Sequence, residues 1–274
     1  MELTLTATST PIAATLARAA GQIEYFSGSY GERPDDWLLA SEVIDDPDAL
    51  STLLDQVLAL YQTDNRQIGA AFLVLGYFWS PMLAMMACFT LDGRVPDLTP
   101  DSVAFDLRGG VRFTSPAFHA LPSDPATGQP EVTLLPDHDA LRDQLVAQLE
   151  AHANPLFTTL RAVAPYGLNG MRANYIDRLV SAIIWISEAL GDQEIARREV
   201  PAFVSRLTTK HRAGIIEVCH EGRVGIYQQR SGCCLNYRLP GKEKCDTCSL
   251  HPLEKRLQIF RGLMSDQTSA GPSD

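Results

Sequence analysis

The chain has 274 residues, a 45% hydrophobic fraction and a net charge of −10, enough for one large domain or two small ones with a substantial core. An acidic balance of this size argues against general nucleic-acid binding, which needs a basic face. The charge is uneven: residues 1–200 hold 12 Lys and Arg against 26 Asp and Glu, whereas residues 201–264 hold 11 against 5.

In chain order, the first twenty residues lack a basic leader and a long apolar run, so no secretory signal is expected and the protein is expected to stay inside the cell. Thr10 and Pro11 open a first helix that Gly21 closes, and Asp46 and Pro47 open a second with Leu50, Leu53, Leu54, Val57, Leu58 and Tyr61 at helical spacing. Ile68 to Leu91 carries no charged residue, and its length meets the threshold for a membrane span. Ser80 and Pro81 in its middle read as the start of a new helix, so two short buried helices, Arg66 to Trp79 and Pro81 to Phe89, are expected instead. Cys88 lies there as a small buried hydrophobe.

Ser102 to Thr114 changes to strand-like spacing around Gly109 and Gly110, a hairpin signal. Pro116 to Pro130 reads as a loop, with His119 inside it, and EVTLL at 131–135 as a strand. A helix opened by Asp137 is expected to break or kink at Pro155 and continue to Val163. Gly170 to Leu190 is the strongest helical pattern, with Ile176, Leu179, Val180, Ile183, Ile184 and Ile186 facing inward; Arg172, Asn174, Arg178 and Trp185 are its polar or aromatic candidates. After a helix near Glu194 to Leu207, Gly214 to Gln229 reads as a hairpin turning at Glu221 and Gly222, with Cys219 and His220 on it. Pro252 to Met264 reads as a short basic amphipathic helix, and residues 265–274 as a disordered tail.

Between that hairpin and the last helix lies the densest chemistry. Four of the six cysteines, Cys233, Cys234, Cys245 and Cys248, fall within sixteen residues in a C-C-x10-C-x2-C pattern. Four thiolates so close suit a structural Zn²⁺ or an iron–sulfur cluster. Disulfides would stabilise little else in so large a chain. Zinc remains open, although adjacent cysteines point apart in extended backbone and need a local kink to share a metal. Gly232 is the residue expected to supply that kink. No dinucleotide fingerprint or phosphate loop is present, so electrons would come from a partner.

The run RSGCCLNYRLPGKEKCDTC, with Arg230, Ser231, Tyr237, Arg238, Pro240, Gly241 and the closing CxxC, resembles the C-terminal signature of the FhuF-like ferric siderophore reductases. That resemblance implies a [2Fe-2S] cluster on Cys233, Cys234, Cys245 and Cys248, and a cytoplasmic iron–sulfur reductase that releases Fe(II) from a ferric siderophore, of hydroxamate type. With no nucleotide-binding motif, the external donor is expected to be a partner such as a ferredoxin or flavoprotein. The basic end would hold the substrate, with Arg230, Arg238 and Lys242 as contacts and Arg172 from the long helix. Two other functions stay open: a zinc-stapled, non-enzymatic binding protein, and an iron–sulfur carrier or sensor without a siderophore site. The expected architecture is α+β: a mainly helical, siderophore-binding body with β-hairpins over residues 1–210, a small C-terminal iron–sulfur module over 211–264, then the tail. No nucleic acid and at most peripheral membrane association are expected.

Overall fold

The computed structural model describes residues 10–209 and 212–269. Helix α1 (Pro11–Gln22) is capped by Thr10, whose hydroxyl accepts from the Ala13 amide. Two short strands follow, β1 (Gly28–Tyr30) and β2 (Leu38–Leu39). Helix α2 (Pro47–Leu60) starts on Asp46, whose carboxylate accepts from two first-turn amides. Helix α3 (Arg66–Asp92) starts on Asn65 and ends at Gly93, whose φ of 62° makes the left-handed turn that closes it.

α3 is the organising element. Its 27 residues run unbroken through Pro81, where the sequence suggests two helices. The reason lies in Ser80: its buried hydroxyl donates to the Gly109 carbonyl of a neighbouring hairpin rather than capping a new helix. Proline then removes one helical hydrogen bond, while burial on nearly all sides holds the axis. α3 is long and apolar enough to cross a membrane, but 89% of its most apolar window is buried inside the protein. It packs on α1, α2 and, most extensively, on α5 (Leu168–Ala189).

Two small sheets edge this helical layer. Strands β3 (Arg94–Pro96), β6 (Phe118–Ala120) and β7 (Val132–Leu134) form one, in that order; β6 lies within the stretch read as loop, and pairing on both sides makes it a strand. The other has the order β1-β5-β4-β2, where β4 (Val103–Phe105) and β5 (Val111–Phe113) are the predicted hairpin around Gly109 and Gly110. Helix α4 (His138–Val163) continues through Pro155 as one element. Helix α6 (Gln193–Val204) packs on α5.

The chain then enters the hairpin β8 (Gly214–His220) and β9 (Arg223–Gln229). Its turn residues, Glu221 and Gly222, have φ of 49° and 76°, the two positive values of a type I′ turn. β9 lies against α5. Helix α7 (Leu253–Ser269) covers β8, and Val218, Phe260 and Met264 form a small separate core where Tyr227 stacks on Phe260 at 4.2 Å. α7 runs past Met264 to Ser269, and the remainder of the expected tail lies outside the described residues. The result is an α+β fold with the cysteine loop, residues 230–250, held between α5 and the β8–β9–α7 unit.

Candidate metal centre

The inward face of α5 is not uniformly apolar. Asn174, Asp177 and Ser181 recur at helical spacing and form a polar stripe directed at the cysteine loop and β9, while the neighbouring Arg178 turns to Leu75 of α3. Asp177 is 1% exposed and is the anchor: its carboxylate accepts from the amides of Ser231 (2.8 Å) and Gly232 (2.9 Å) and pairs with Arg230 at 3.2 Å. Burial pushes this carboxyl above the ordinary carboxylate range, with Arg230 and the two amides opposing it. Ser181 reaches Gln228 at 2.9 Å, and Gln228 donates to the Asp177 carbonyl. Asn174 donates to Tyr166 and to the Cys233 carbonyl.

Gly232 plays a different part from the one expected. Its backbone is not in the left-handed region; instead a Cβ there would lie 2.4 Å from Asn174 Oδ1 and 2.9 Å from the Asn174 amide nitrogen. Glycine is needed so that the loop can lie directly on the α5 backbone. The kink falls at Leu235, whose φ is 61°. It turns two successive amides back on the adjacent pair: Leu235 N–H donates to Cys233 Sγ at 3.4 Å, and the Asn236 amide to Cys234.

All six cysteines are free, and Cys248 is buried while Cys233, Cys234 and Cys245 are half-buried. Cys245 and Cys234 are hydrogen-bonded to each other, and Arg230 Nη1 lies 3.6 Å from Cys245 Sγ. The bond from Cys245 pushes the Cys234 thiol down, with Arg230 contributing, and pushes the Cys245 thiol up. Cys248 lies in the field of Cys233 and Cys245. The CxxC closes through a Cys248 amide to Cys245 carbonyl bond of 2.9 Å, and Ser249 ties it back to the Gly232 carbonyl at 2.8 Å. Among the described residues, no three Cys, His, Asp or Glu side chains close around a point that would hold a single ion.

Four sulfurs in one loop, with amides and a guanidinium directed at them, are the donor set and surround of an iron–sulfur centre. Residues 230–250 match the family model described as the FhuF 2Fe-2S C-terminal domain. This short segment, with all four cysteines inside the match, is similar to FhuF-type iron–sulfur domains, which supports an iron–sulfur, ferric siderophore reductase-like relationship for it. No curated protein matches the chain.

The other expected site residues are dispersed. Arg230 is at the sulfurs. Arg238 is exposed and donates to Gln67 at 2.8 Å. Lys242 lines an open groove with Lys244, His251 and Lys255. Arg172 lines a separate hollow with Glu150, Tyr175 and Thr208. His220 meets Ser265 rather than a cysteine, and Cys88 is buried among apolar residues, its thiol pushed up by burial. Asp177 escaped the sequence reading; its signal was the run of polar residues at 174, 177, 178 and 181 inside an otherwise apolar helix.

Proposed function

We propose that this chain is a cytoplasmic ferric siderophore reductase, passing one electron at a time to an Fe(III)–siderophore of hydroxamate type and releasing Fe(II). Cys233, Cys234, Cys245 and Cys248 would hold a [2Fe-2S] cluster, which when bound supplies a one-electron store without change of protein ligands. The observation that carries this reading is the four-sulfur loop within the FhuF-type match, anchored through the buried Arg230–Asp177 pair.

The chain's own residues act by charge and position. The Arg230 guanidinium and the amides of Leu235 and Asn236 place positive potential on the sulfurs, which favours an added electron. Hydroxamate oxygens are hard donors that hold Fe(III) better than Fe(II), so reduction alone loosens the chelate and no general acid or base is required. The electron would come from a ferredoxin or flavoprotein. Lys242, Lys244 and Lys255, which outnumber Glu243 and Asp246 around an open groove of about 620 Å³, offer such an acidic partner a landing face.

The test is the absorption and EPR spectrum of anaerobically purified protein before and after dithionite, with iron, sulfide and zinc assayed on the same sample. About two irons and two sulfides per chain, bleaching on reduction, are expected; a colourless protein with one zinc would overturn the reading. Cys245→Ser should lose most of the iron and all ferric chelate reduction.

A further inference from the structure

Two hollows meet over α5. One, of about 420 Å³, is bounded by Cys234, Cys245, Arg230 and Asn236. The other, of about 300 Å³, is mostly apolar and lies between α2, α3 and the β4–β5 hairpin. Tyr61, Phe72, Gly76 and Arg178 line both, so the two adjoin through a shared wall, one against the sulfurs and the other an aromatic recess.

Three residues of the shared wall bear on a ligand seated there. Arg178 is half-buried, yet its hydrogen bonding is confined to Nε, which donates to the Leu75 carbonyl at 2.8 Å; its terminal nitrogens meet no described partner. Its guanidinium lies 5.3 Å from the Trp79 ring centroid, and the carboxylate beside it, Asp177, is already engaged by Arg230 and the loop. Burial and the nearby Arg230 charge push Arg178 down to about 10, so a hydrogen-bond acceptor placed on its terminal nitrogens would offset part of that burial. Gly76 sits in the middle of α3, where glycine costs about 0.5–1 kcal/mol relative to alanine. Nothing lies within 4 Å of where its Cβ would be, so packing does not demand it; it leaves the cleft floor open. Tyr61 is 43% exposed and stacks on Phe72 at 4.1 Å, presenting a flat apolar ledge.

We propose that this cleft is the seat of the ferric chelate, with a metal-bound hydroxamate oxygen accepting from the Arg178 terminal nitrogens, the apolar arms on Tyr61, Phe72 and Trp79, and the metal turned toward Cys234 and Cys245. This rests on the reductase reading and adds the pocket to it. It moves the substrate away from Lys242 and Arg238, which are exposed on another groove and on Gln67.

The probe is the gallium(III) complex of a linear tris-hydroxamate, which is redox-inert and has the shape and charge of its ferric counterpart. Titrated into the full chain carrying its cluster, it should bind and quench tryptophan fluorescence. Arg178→Gln should weaken binding at least about tenfold, equivalent to about 1.4 kcal/mol. Gly76→Phe, which fills the floor of an exposed helical position, should abolish binding while iron content and thermal midpoint stay at wild-type values. Wild-type affinity in both variants, or no binding by the wild-type protein, would overturn the cleft. Stopped-flow oxidation of the pre-reduced wild-type protein by the ferric chelate decides the reductase reading separately. Electron transfer with variant-insensitive binding removes only the cleft; Arg178-dependent binding without electron transfer removes only the reductase.

Discussion

Arg230 joins the cysteine loop to the helical body by a single side chain, its Nη1 on Cys245 and its Nε on Asp177. Burial works against its charge, but Asp177 and the thiolates more than offset this and raise its pKa. Arg230→Gln should therefore act twice. It removes positive potential from the sulfurs, lowering the reduction potential, and it leaves Asp177 buried without its cation, at a cost of about 3 kcal/mol. Arg238→Gln, on an exposed residue that meets Gln67, should change stability by less than about 0.5 kcal/mol and leave the potential alone. Potentiometric titration of both variants separates local from general electrostatics: equal shifts would show that the basic field of the whole segment, not this contact, sets the potential.

The element that matters most for the site is α5, because its backbone is the floor on which residues 231–233 lie. The close approach at Gly232 places Asn174 backbone, which cannot yield, in the path of any added side chain. Gly232→Ala should cost about 1–3 kcal/mol through overpacking and lower the iron bound per chain. Gly21→Ala, at an exposed position with nothing within 4 Å, should do neither. Iron assay and thermal melts on the two variants decide it, and full iron with an unchanged melt in Gly232→Ala would show that the loop can lift off α5 without loss.

At the scale of the molecule, buried charge and one buried imidazole tie distant segments together. Arg94 pairs with Asp124 at 2.8 Å and also reaches the Pro11 carbonyl and Thr15 of α1; Arg142 of α4 pairs with Glu199 of α6 at 2.8 Å. Burial works against the charge of both carboxylates, but their arginines outweigh it and hold them below the ordinary range. That stability is present above about pH 4 and is lost as pH falls through the folded values. His152, buried between Tyr77 and the Leu98 carbonyl, donates from Nδ1 at 2.8 Å and accepts from Tyr77 at 2.6 Å, so it is held neutral, and burial lowers its pKa. An unfolded chain protonates it near pH 6.5, so its contribution begins to fade below that value. Asp177, raised by burial, works the other way, giving stability that is lost as pH rises through its folded value. Other groups add to both sides: His119 is lowered by burial, Asp97 is lowered because burial is outweighed by its hydrogen bonds, and Glu188 is raised by burial like Asp177. The lowered groups are in the majority, so the thermal midpoint should fall from about pH 6.5 downward and more steeply below about 4. His152→Gln should make the upper part of that decline shallower, leaving the share of His119; a variant profile parallel to wild type throughout would refute the assignment to His152.

The cysteine spacing, the type I′ hairpin before it and most helix starts were legible in the sequence because each depends on local chemistry: a capping side chain, a glycine after a turn, thiols within reach along one loop. The apolar period of α5 was equally plain. What the sequence could not settle depends on surfaces brought together by folding. Ser80 stops nothing, because a hairpin carbonyl distant in the chain takes its hydroxyl; β6 becomes a strand only between β3 and β7; Gly232 is required by the α5 backbone rather than by its own dihedral. Asp177 and Arg178 are neighbours in sequence but face different partners, one holding the cysteine loop and the other opening onto the cleft. Local preferences extend over a few residues, whereas the choice between anchoring a loop and lining a pocket is made by groups some fifty residues further on, at Arg230 and Cys234, and a hundred before, at Leu75 and Gly76.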